Sequence, residues 1–230
     1  MTPVEPPAAA ATSVRVWDLP VRLFHWALVA LLGFSWWSGD HHDMDWHRLS
    51  GYTILALVVF RIYWGVVGSR TARFAQFVRG PRAALDYVGR LGRRPYEAAD
   101  GHNPIGGWSV VLLLATLIVM VTAGLFSVDV DGLESGPLAD YVSFDVGRTA
   151  AGVHHFVFNV LLALVALHVL AILFYLVALR HDLISPMLHG RRKSGEAPVA
   201  ERLGASPWKA AIGIVIAGGF AYAVSKGFRL

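Results

Sequence analysis

Two histidines share one face of a long apolar stretch in the second half of the chain. Residues 149–179 contain no Asp, Glu, Lys or Arg, and as a helix they would rise about 46 Å, enough to cross a bilayer core of about 30 Å. His154 and His168 are 14 positions apart, which places them within about 40° of each other around the helix and about 21 Å apart along it. His155 misses this face by about 140°, so the stacked pair is His154 with His168.

An imidazole inside the hydrocarbon needs a partner, because an ionisable side chain there is costly and normally faces the interior of a helix bundle. Two histidines stacked on one stripe indicate two ligand sites at different depths in the membrane, of the kind that axial ligands to haem iron would form. The alternative interpretation is that both histidines are packing residues that form hydrogen bonds between helices.

The composition is typical of an integral membrane protein. Of the 230 residues, 55% are hydrophobic and 16% are charged, whereas soluble domains carry about 25% charged residues. The basic pI of about 9.6 does not indicate nucleic-acid binding, because the basic residues lie in loops between apolar spans. Cys is absent, which excludes disulfides, thiolate metal sites, iron–sulfur clusters and covalently attached haem. Any haem must therefore be held non-covalently, with His as the obvious ligand.

Hydropathy predicts an all-α integral membrane protein, a four-helix transmembrane bundle with a fifth helix at the C-terminus. The fifth apolar stretch is at the short limit for a span, so an interfacial helix or hairpin is the alternative, and Lys226 and Arg229 argue against export of the tail. Residues 73–91 are weakly amphipathic and are expected to lie on the membrane surface. The predicted spans are 19–37, 47–67, 108–128, 149–179 and 208–224. The predicted organisation is a disordered tail at 1–13, a transmembrane domain at 14–190, a basic linker at 191–207 and the fifth helix at 208–230.

The charges of the loops predict how the chain is oriented and which histidines meet. Arg-rich segments follow the second and fourth spans, and acidic loops follow the first and third. Because basic loops stay in the cytoplasm, the N-terminus is expected inside. His25 then lies near the inner end of the first span and His47 near the outer end of the second. Since the fourth span runs inwards, depth pairs His25 with His168 and His47 with His154.

Each histidine pair would bracket one level of the membrane and make the fold a di-haem bundle. Two imidazoles fill both axial positions of a haem iron, and such a haem transfers electrons instead of binding a small substrate. Two levels about 21 Å apart would form a relay between an outer and an inner redox partner. Gly51, one turn after His47, would let a flat ring approach the backbone.

Two further residues are candidates for binding at the inner side. Arg61 lies 14 residues after His47, deep in the second span, and a buried Arg needs an anion. A propionate of the inner haem would serve, and a snorkelling contact with a lipid phosphate is the alternative. His102, at the entry to the third span, is a candidate for binding a quinone headgroup. A capping or solvent-facing histidine is the alternative there.

Four segments resemble the prokaryotic cytochrome b561 family, which includes the b-type cytochrome subunits of membrane-bound nickel–iron hydrogenases. The resemblance covers about residues 14–190. It implies two haem b groups, and it places the four ligand positions of the family on His25, His47, His154 and His168. His155 is a departure, since many relatives carry Glu there. The matching segments are LFHW at 23–26, WHRLSG at 46–51, GHNPIGG at 101–107 and VHHFVFNVLLALVALH at 153–168.

The resemblance implies electron exchange between the quinone pool and a periplasmic redox partner, such as a c-type cytochrome or a hydrogenase. One alternative is a stand-alone oxidoreductase that passes electrons from superoxide or another small reductant to quinone. The acidic outer loops disfavour it, because they would repel an anion and attract a basic protein. A metal-ion transporter is a more distant alternative, and it would need Asp or Glu beside the histidines within the spans.

The expected setting is the bacterial inner membrane, crossed several times with the N-terminus in the cytoplasm. The expected partners are membrane lipid, quinone and the periplasmic redox protein, with no role for nucleic acid. The chain is then either an electron carrier or a subunit of a quinone-linked oxidoreductase. Its oligomeric state is left open, a homodimer included.

Overall fold

The computed structural model describes residues 12–90, 101–194 and 206–229. Within these ranges five helices are long and apolar enough to cross a membrane, so the predicted all-α membrane bundle is confirmed. The fifth is one continuous helix and not a hairpin. These long helices are α1 (Leu19–Asp40), α2 (Met44–Val67), α5 (Pro104–Phe126), α6 (Phe144–Val177) and α8 (Pro207–Ser225).

Short elements connect the long helices on the side of the molecule where α1 begins. A two-stranded antiparallel sheet joins the two segments that flank the four-helix part of the chain, with Arg15 paired to Arg191 and Thr12 paired to Ser194. A single 3-10 turn, Ala139–Tyr141, lies on the opposite side, before α6. The connecting elements are β1 (Thr12–Arg15), α3 (Phe74–Phe77), α4 (Pro81–Arg90), α7 (Ile184–His189) and β2 (Arg191–Ser194).

Capping side chains explain where the long helices begin. The carboxylate of Asp18 accepts a hydrogen bond of 2.8 Å from the backbone N–H of Val21, which satisfies a free donor in the first turn of α1. Asn103 does the same for α5 by accepting from Gly106 at 2.7 Å, so this helix begins four residues earlier than predicted. Helix α6 also begins earlier, at the residue after its N-cap Ser143. A stretch without charged residues predicts where the chain crosses the membrane. It does not predict at which residue the helix begins, because the capping residues lie outside that stretch.

The helices pack as two antiparallel hairpins, α1 with α2 and α5 with α6, and α8 lies along the outside of α2. In the part of the chain described, α6 packs extensively only on α5. The space between α6 and the α1–α2 hairpin is therefore the place where side chains of both hairpins can face each other. At mid-depth it is closed by an apolar cluster of buried residues, Ile54, Val58, Leu117 and Leu161.

The small sheet was missed by the sequence analysis, which placed Thr12 and Ser13 in a disordered tail and Arg191 in a linker. The strands are only four residues long, so they give no readable alternation. Backbone contacts explain why they form. The N–H groups of Val16 and Trp17 both donate to the carbonyl oxygen of Gly190, at 2.9 and 3.3 Å. Gly190 adopts a φ of 80°, a left-handed conformation that favours glycine, and it turns the chain from α7 into β2.

The C-terminal end of α8 is anchored to the acidic loop that precedes α6. The hydroxyl of Tyr141 donates to the carbonyl oxygen of Gly227 at 2.7 Å, and Arg229 pairs with Asp140 at 2.9 Å. These contacts place the end of α8 on the side opposite to the β1–β2 sheet. The sequence analysis expected Lys226 and Arg229 on the side of the basic loops, whereas the structure places Arg229 beside the acidic loop, where Asp140 accommodates its charge.

Candidate functional site

The two histidines predicted to form the outer pair, His47 of α2 and His154 of α6, meet across the space between the two hairpins. Their ring centroids are 6.0 Å apart, and the rings are nearly perpendicular, at 84°. Nδ1 of His47 lies 2.9 Å from the carbonyl oxygen of Ser35, and Nδ1 of His154 lies 2.8 Å from that of Met120. Because a carbonyl oxygen only accepts, both Nδ1 atoms carry the proton. Each Nε2 then keeps a lone pair for a metal.

Glycines support both rings from the neighbouring helices. A Cβ atom on Gly39 would lie 3.0 Å from Nδ1 of His47, and a Cβ atom on Gly124 would lie 3.0 Å from Nδ1 of His154. A Cβ atom at either position would be closer than an ordinary contact, so the ring would have to shift to accommodate it. At Gly51, by contrast, an added Cβ would meet nothing within 4 Å, so the backbone one turn after His47 borders open space.

The outer pair fits a haem by three criteria. The donors are imidazoles in the tautomer that ligates through Nε2. The ring centroids of His47 and His154 are 6.0 Å apart, so the two imidazoles come from different hairpins to one place and would both reach a group held there. The open flank at Gly51 leaves room for a flat macrocycle. In the described part of the chain, no group of three or more His, Asp or Glu side chains is arranged to hold a metal ion.

The two histidines predicted to form the inner pair, His25 of α1 and His168 of α6, are half-buried and close enough to act on each other electrostatically. Nδ1 of His25 is buried and has no hydrogen-bond partner, so this imidazole has unused bonding capacity. Its ring packs edge-on against Trp26, with centroids 4.9 Å apart. The inner pair is thus brought together by α1 and α6, but His25 lacks the backbone hydrogen bond that fixes each outer ring.

Arg61 lies inside the protein and not against lipid, since its exposed fraction is 3%. Its guanidinium donates to the carbonyl oxygen of Ala72 at 3.2 Å and lies 4.8 Å from the ring centroid of Phe74. The carboxylate of Asp18 is close enough to interact with the charge. This burial disfavours the lipid-phosphate alternative.

His102 is more deeply placed than its position at the entry to a span indicated. Its ring lies between Trp17 and Phe77, with centroid separations of 4.6 and 4.4 Å. Burial, and secondarily the positive charge of Arg61, lowers the pKa of His102 to about 3, so the imidazole is neutral at physiological pH. His168 also acts on His102 electrostatically, which places it beside the inner pair. The capping role in this segment belongs to Asn103.

Several polar groups beside the inner pair were missed by the sequence analysis. In the described residues, the side-chain atoms Ser69 Oγ, Thr71 Oγ1 and Arg73 Nε are buried on this side without a hydrogen-bond partner. Tyr175 of α6 bonds to Asn103. Among these residues, only Tyr175 could have been predicted from the sequence. It follows His168 by seven residues and so lies on the same face of α6.

The opposite face of the bundle, near the outer pair, is acidic. Arg48 of α2 bonds to Asp45 at 2.7 Å and to Glu134, and this ties the helix to the loop before α6. Asp131 is exposed, and the exposed Asp40 lies 3.9 Å from Nδ1 of His41. The surface around the outer pair is therefore rich in carboxylates.

Comparison with known proteins gives relatives consistent with this geometry. A protein of Azotobacter chroococcum mcd 1 named probable Ni/Fe-hydrogenase B-type cytochrome subunit is 25% identical over 214 residues, which cover 79% of this chain and 89% of that protein. A protein of the same name from Azotobacter vinelandii is 24% identical with the same coverage. No solved structure is significantly similar. The sequence profile described as prokaryotic cytochrome b561 matches residues 16–190, and the chain therefore belongs to the prokaryotic cytochrome b561 family.

Proposed function

We propose that this protein carries electrons across the membrane through two haem b groups, between a quinone on the inner side and a redox protein on the outer side. The single observation that carries the proposal is the geometry of His47 and His154, whose rings are 6.0 Å apart and whose Nδ1 atoms are both occupied by backbone carbonyl oxygens. Membership of a family of b-type cytochromes supports haem b as the group that these histidines hold.

The four histidines would hold two haems in this proposal. His47 and His154 would hold the outer haem, and His25 and His168 would hold the inner one. When bound, a haem would supply one-electron redox chemistry. The apolar cluster around Leu161 separates the two levels, and it keeps water and ions out of the space between them.

The inner site is the place where the anionic groups of a haem and the headgroup of a quinone would bind. Arg61 is a buried cation on which the carboxylate of Asp18 acts, and it would neutralise a propionate. His102 is neutral and its Nδ1 is unpartnered, so it would hydrogen-bond a quinone oxygen without adding charge. Trp17 and Phe77, which contact its ring, supply the apolar walls that a quinone ring needs.

The outer partner is inferred from charge. Acidic groups around the outer pair, among them Asp40 and Asp131, would attract a positively charged protein surface and raise its rate of association. They would repel superoxide, which disfavours the small-reductant alternative. The related Azotobacter proteins are named as hydrogenase subunits, and a hydrogenase or a c-type cytochrome in the periplasm is the class of partner we propose. The N-terminus then lies in the cytoplasm and the membrane is the bacterial inner membrane.

A pyridine haemochrome assay on the purified full chain tests the proposal. About two haem b groups per chain are expected, from two bis-imidazole sites. An absence of haem from folded protein, expressed with sufficient haem supply, would overturn the cytochrome function. A single haem would show that one of the two histidine pairs does not form a site.

A further inference from the structure

A hydrogen-bonded pair of tyrosines lies beside the inner site, between the surface helix α4 and the transmembrane helix α6. The hydroxyl groups of Tyr87 and Tyr175 are 2.9 Å apart. The amide of Asn103 donates to the hydroxyl of Tyr175, also at 2.9 Å. Tyr175 has an exposed fraction of 7%, so this residue lies in the interior, while Tyr87 is half-buried on α4, a helix that also carries the exposed charged residues Arg82, Asp86 and Arg90.

One end of this chain of hydroxyls borders the redox site. Tyr175 follows His168 by seven residues, so it lies on the same face of α6 about 10 Å further towards the inner side. Asn103 is the immediate neighbour of His102, which acts on His168 and Arg61 electrostatically. The hydroxyl of Tyr175 is therefore held at the boundary between the inner histidine pair and the connecting loops.

Space for water lies beside Asn103, the partner of Tyr175. A small pocket there, with a volume of about 30 Å³, is lined by polar residues such as His181, Asp182 and Arg192 together with apolar ones such as Val16 and Leu183. A volume of this size accommodates a water molecule, and polar partners are present to hold it. The backbone N–H of His181 donates to the carbonyl oxygen of Tyr175 at 2.8 Å. The segment that lines the pocket is therefore hydrogen-bonded to the backbone of Tyr175.

We propose that Tyr87 and Tyr175 form a proton relay between the inner aqueous face and the inner redox site, with Asn103 positioning the hydroxyl of Tyr175. The inference rests on the proposed quinone chemistry. Reduction of a quinone to a quinol takes up two electrons and two protons, and the reverse reaction releases both. The electrons move through the redox cofactors, so the protons need a separate path across the apolar wall. No other oxidant or reductant is required.

The chemistry of the side chains suits this role. A phenol hydroxyl both donates and accepts a hydrogen bond, so it can receive one proton while it releases another and stay neutral afterwards. An amide N–H₂ group only donates. Asn103 therefore occupies a lone pair of the Tyr175 oxygen, and the same hydroxyl shares a further hydrogen bond with Tyr87. The relay adds no net charge to the membrane interior, where a charged group would be costly.

The test uses the full-length protein with its haem, in vesicles, with Tyr175→Phe and Tyr87→Phe as the variants. Each change deletes one hydroxyl and keeps the ring. Tyr222→Phe is the matched control, since Tyr222 lies on α8 with an exposed fraction of 59%. A soluble quinol serves as reductant, and the measurements are the rate of haem reduction, the solvent isotope effect, and proton release followed by a pH dye.

We expect quinol-driven reduction and proton release to slow by at least about tenfold in both relay variants, because a positioned proton-transfer group contributes on this scale or more. Haem content, haem midpoint potentials and reduction by dithionite should stay as in the wild type, and the control should be unchanged in every respect. Equal quinol-driven rates in the wild type and in Tyr87→Phe, with both haems present, would overturn the relay.

Two other outcomes separate this inference from the proposed function. If Tyr175→Phe loses haem or thermal stability, its slower rate has a structural cause, and Tyr87→Phe alone decides the matter. If the wild type contains its haems but no quinol reduces them, the quinone reaction itself is wrong, and the relay is overturned with it.

Discussion

The Nδ1 atom of His154 donates a hydrogen bond of 2.8 Å to the carbonyl oxygen of Met120 on the neighbouring helix. This contact fixes both the tautomer and the orientation of the imidazole before any ligand binds. His47 has the same kind of contact with Ser35. Pre-oriented imidazoles lose little conformational freedom on binding a metal, and the outer site is therefore the better organised of the two.

Replacement of His154 with Ala should remove the outer haem and leave the inner haem in place. The reason is that His154 contributes to one level only, about 21 Å from His168 along the same helix. Haem b per chain, measured by pyridine haemochrome, should fall from about two to about one. His168→Ala should give the same count but remove the inner haem, which the midpoint potential of the remaining haem distinguishes. Loss of both haems from either folded variant would refute separate sites.

Replacement of Gly124 with Val should also disturb the outer site, although Gly124 is not a ligand. Its Cβ would lie 3.0 Å from the ring of His154, so a branched side chain must displace the imidazole. We expect the outer haem to be lost or its midpoint potential to change, with the inner haem intact. Gly218→Val is the matched control, since an added Cβ there meets nothing within 4 Å. Identical haem content and potentials in the two variants would show that Gly124 has no supporting role.

The positions of the histidines could be predicted from the sequence because one physical constraint governs them. Imidazoles in hydrocarbon must face the bundle interior, and a spacing of 14 residues on a helix returns to the same face. The structure places Leu161 midway between His154 and His168, buried to an exposed fraction of 3%, and Tyr175 one further step along the same stripe. These residues, spaced seven apart, therefore form one continuous face of α6 that is directed to the interior, as the spacing of the two histidines predicted.

The remaining features depend on contacts between residues distant in sequence, which no local pattern records. The β1–β2 sheet forms because Gly190 accepts two backbone hydrogen bonds from the start of the chain. The burial of His102 depends on two aromatic rings from different segments. The direction of the C-terminal tail depends on the ion pair of Arg229 with Asp140.

Replacement of Arg61 with Gln should lower the midpoint potential of the inner haem while both haems are retained. A nearby cation favours the reduced form of the haem, so its removal favours the oxidised form. A fall of about 60 mV corresponds to a tenfold change in a one-electron equilibrium. Redox potentiometry measures it, with the exposed Arg79→Gln as a control for loss of charge on the same side. An unchanged inner potential would show that Arg61 does not face a haem propionate.

The protein should lose stability in mild acid because of His102. Its pKa is about 3 in the folded state against 6.5 for the free side chain, so the unfolded state binds the proton more readily. The contribution of His102 to the free energy of unfolding is complete above pH 6.5, and it falls as the pH drops from there towards 3. At pH 5 the loss is about 2 kcal/mol. His102→Gln should reduce the difference in melting temperature between pH 8 and pH 5. An undiminished difference in that variant would contradict the buried, neutral state of His102.

The C-terminus should lie on the same side of the membrane as the acidic loops. Because the chain contains no Cys, single cysteines report on position without background. Lys226→Cys and Asp131→Cys should react with a membrane-impermeant maleimide added to one side of oriented vesicles, and Arg191→Cys, in β2, should react only from the other side. The physical basis is that α8 runs from the side of the sheet to the carbonyl of Gly227, which Tyr141 holds. Labelling of Lys226→Cys and Arg191→Cys from one side would mean that α8 does not cross the membrane, and the anchoring contacts of Tyr141 and Asp140 could not then form.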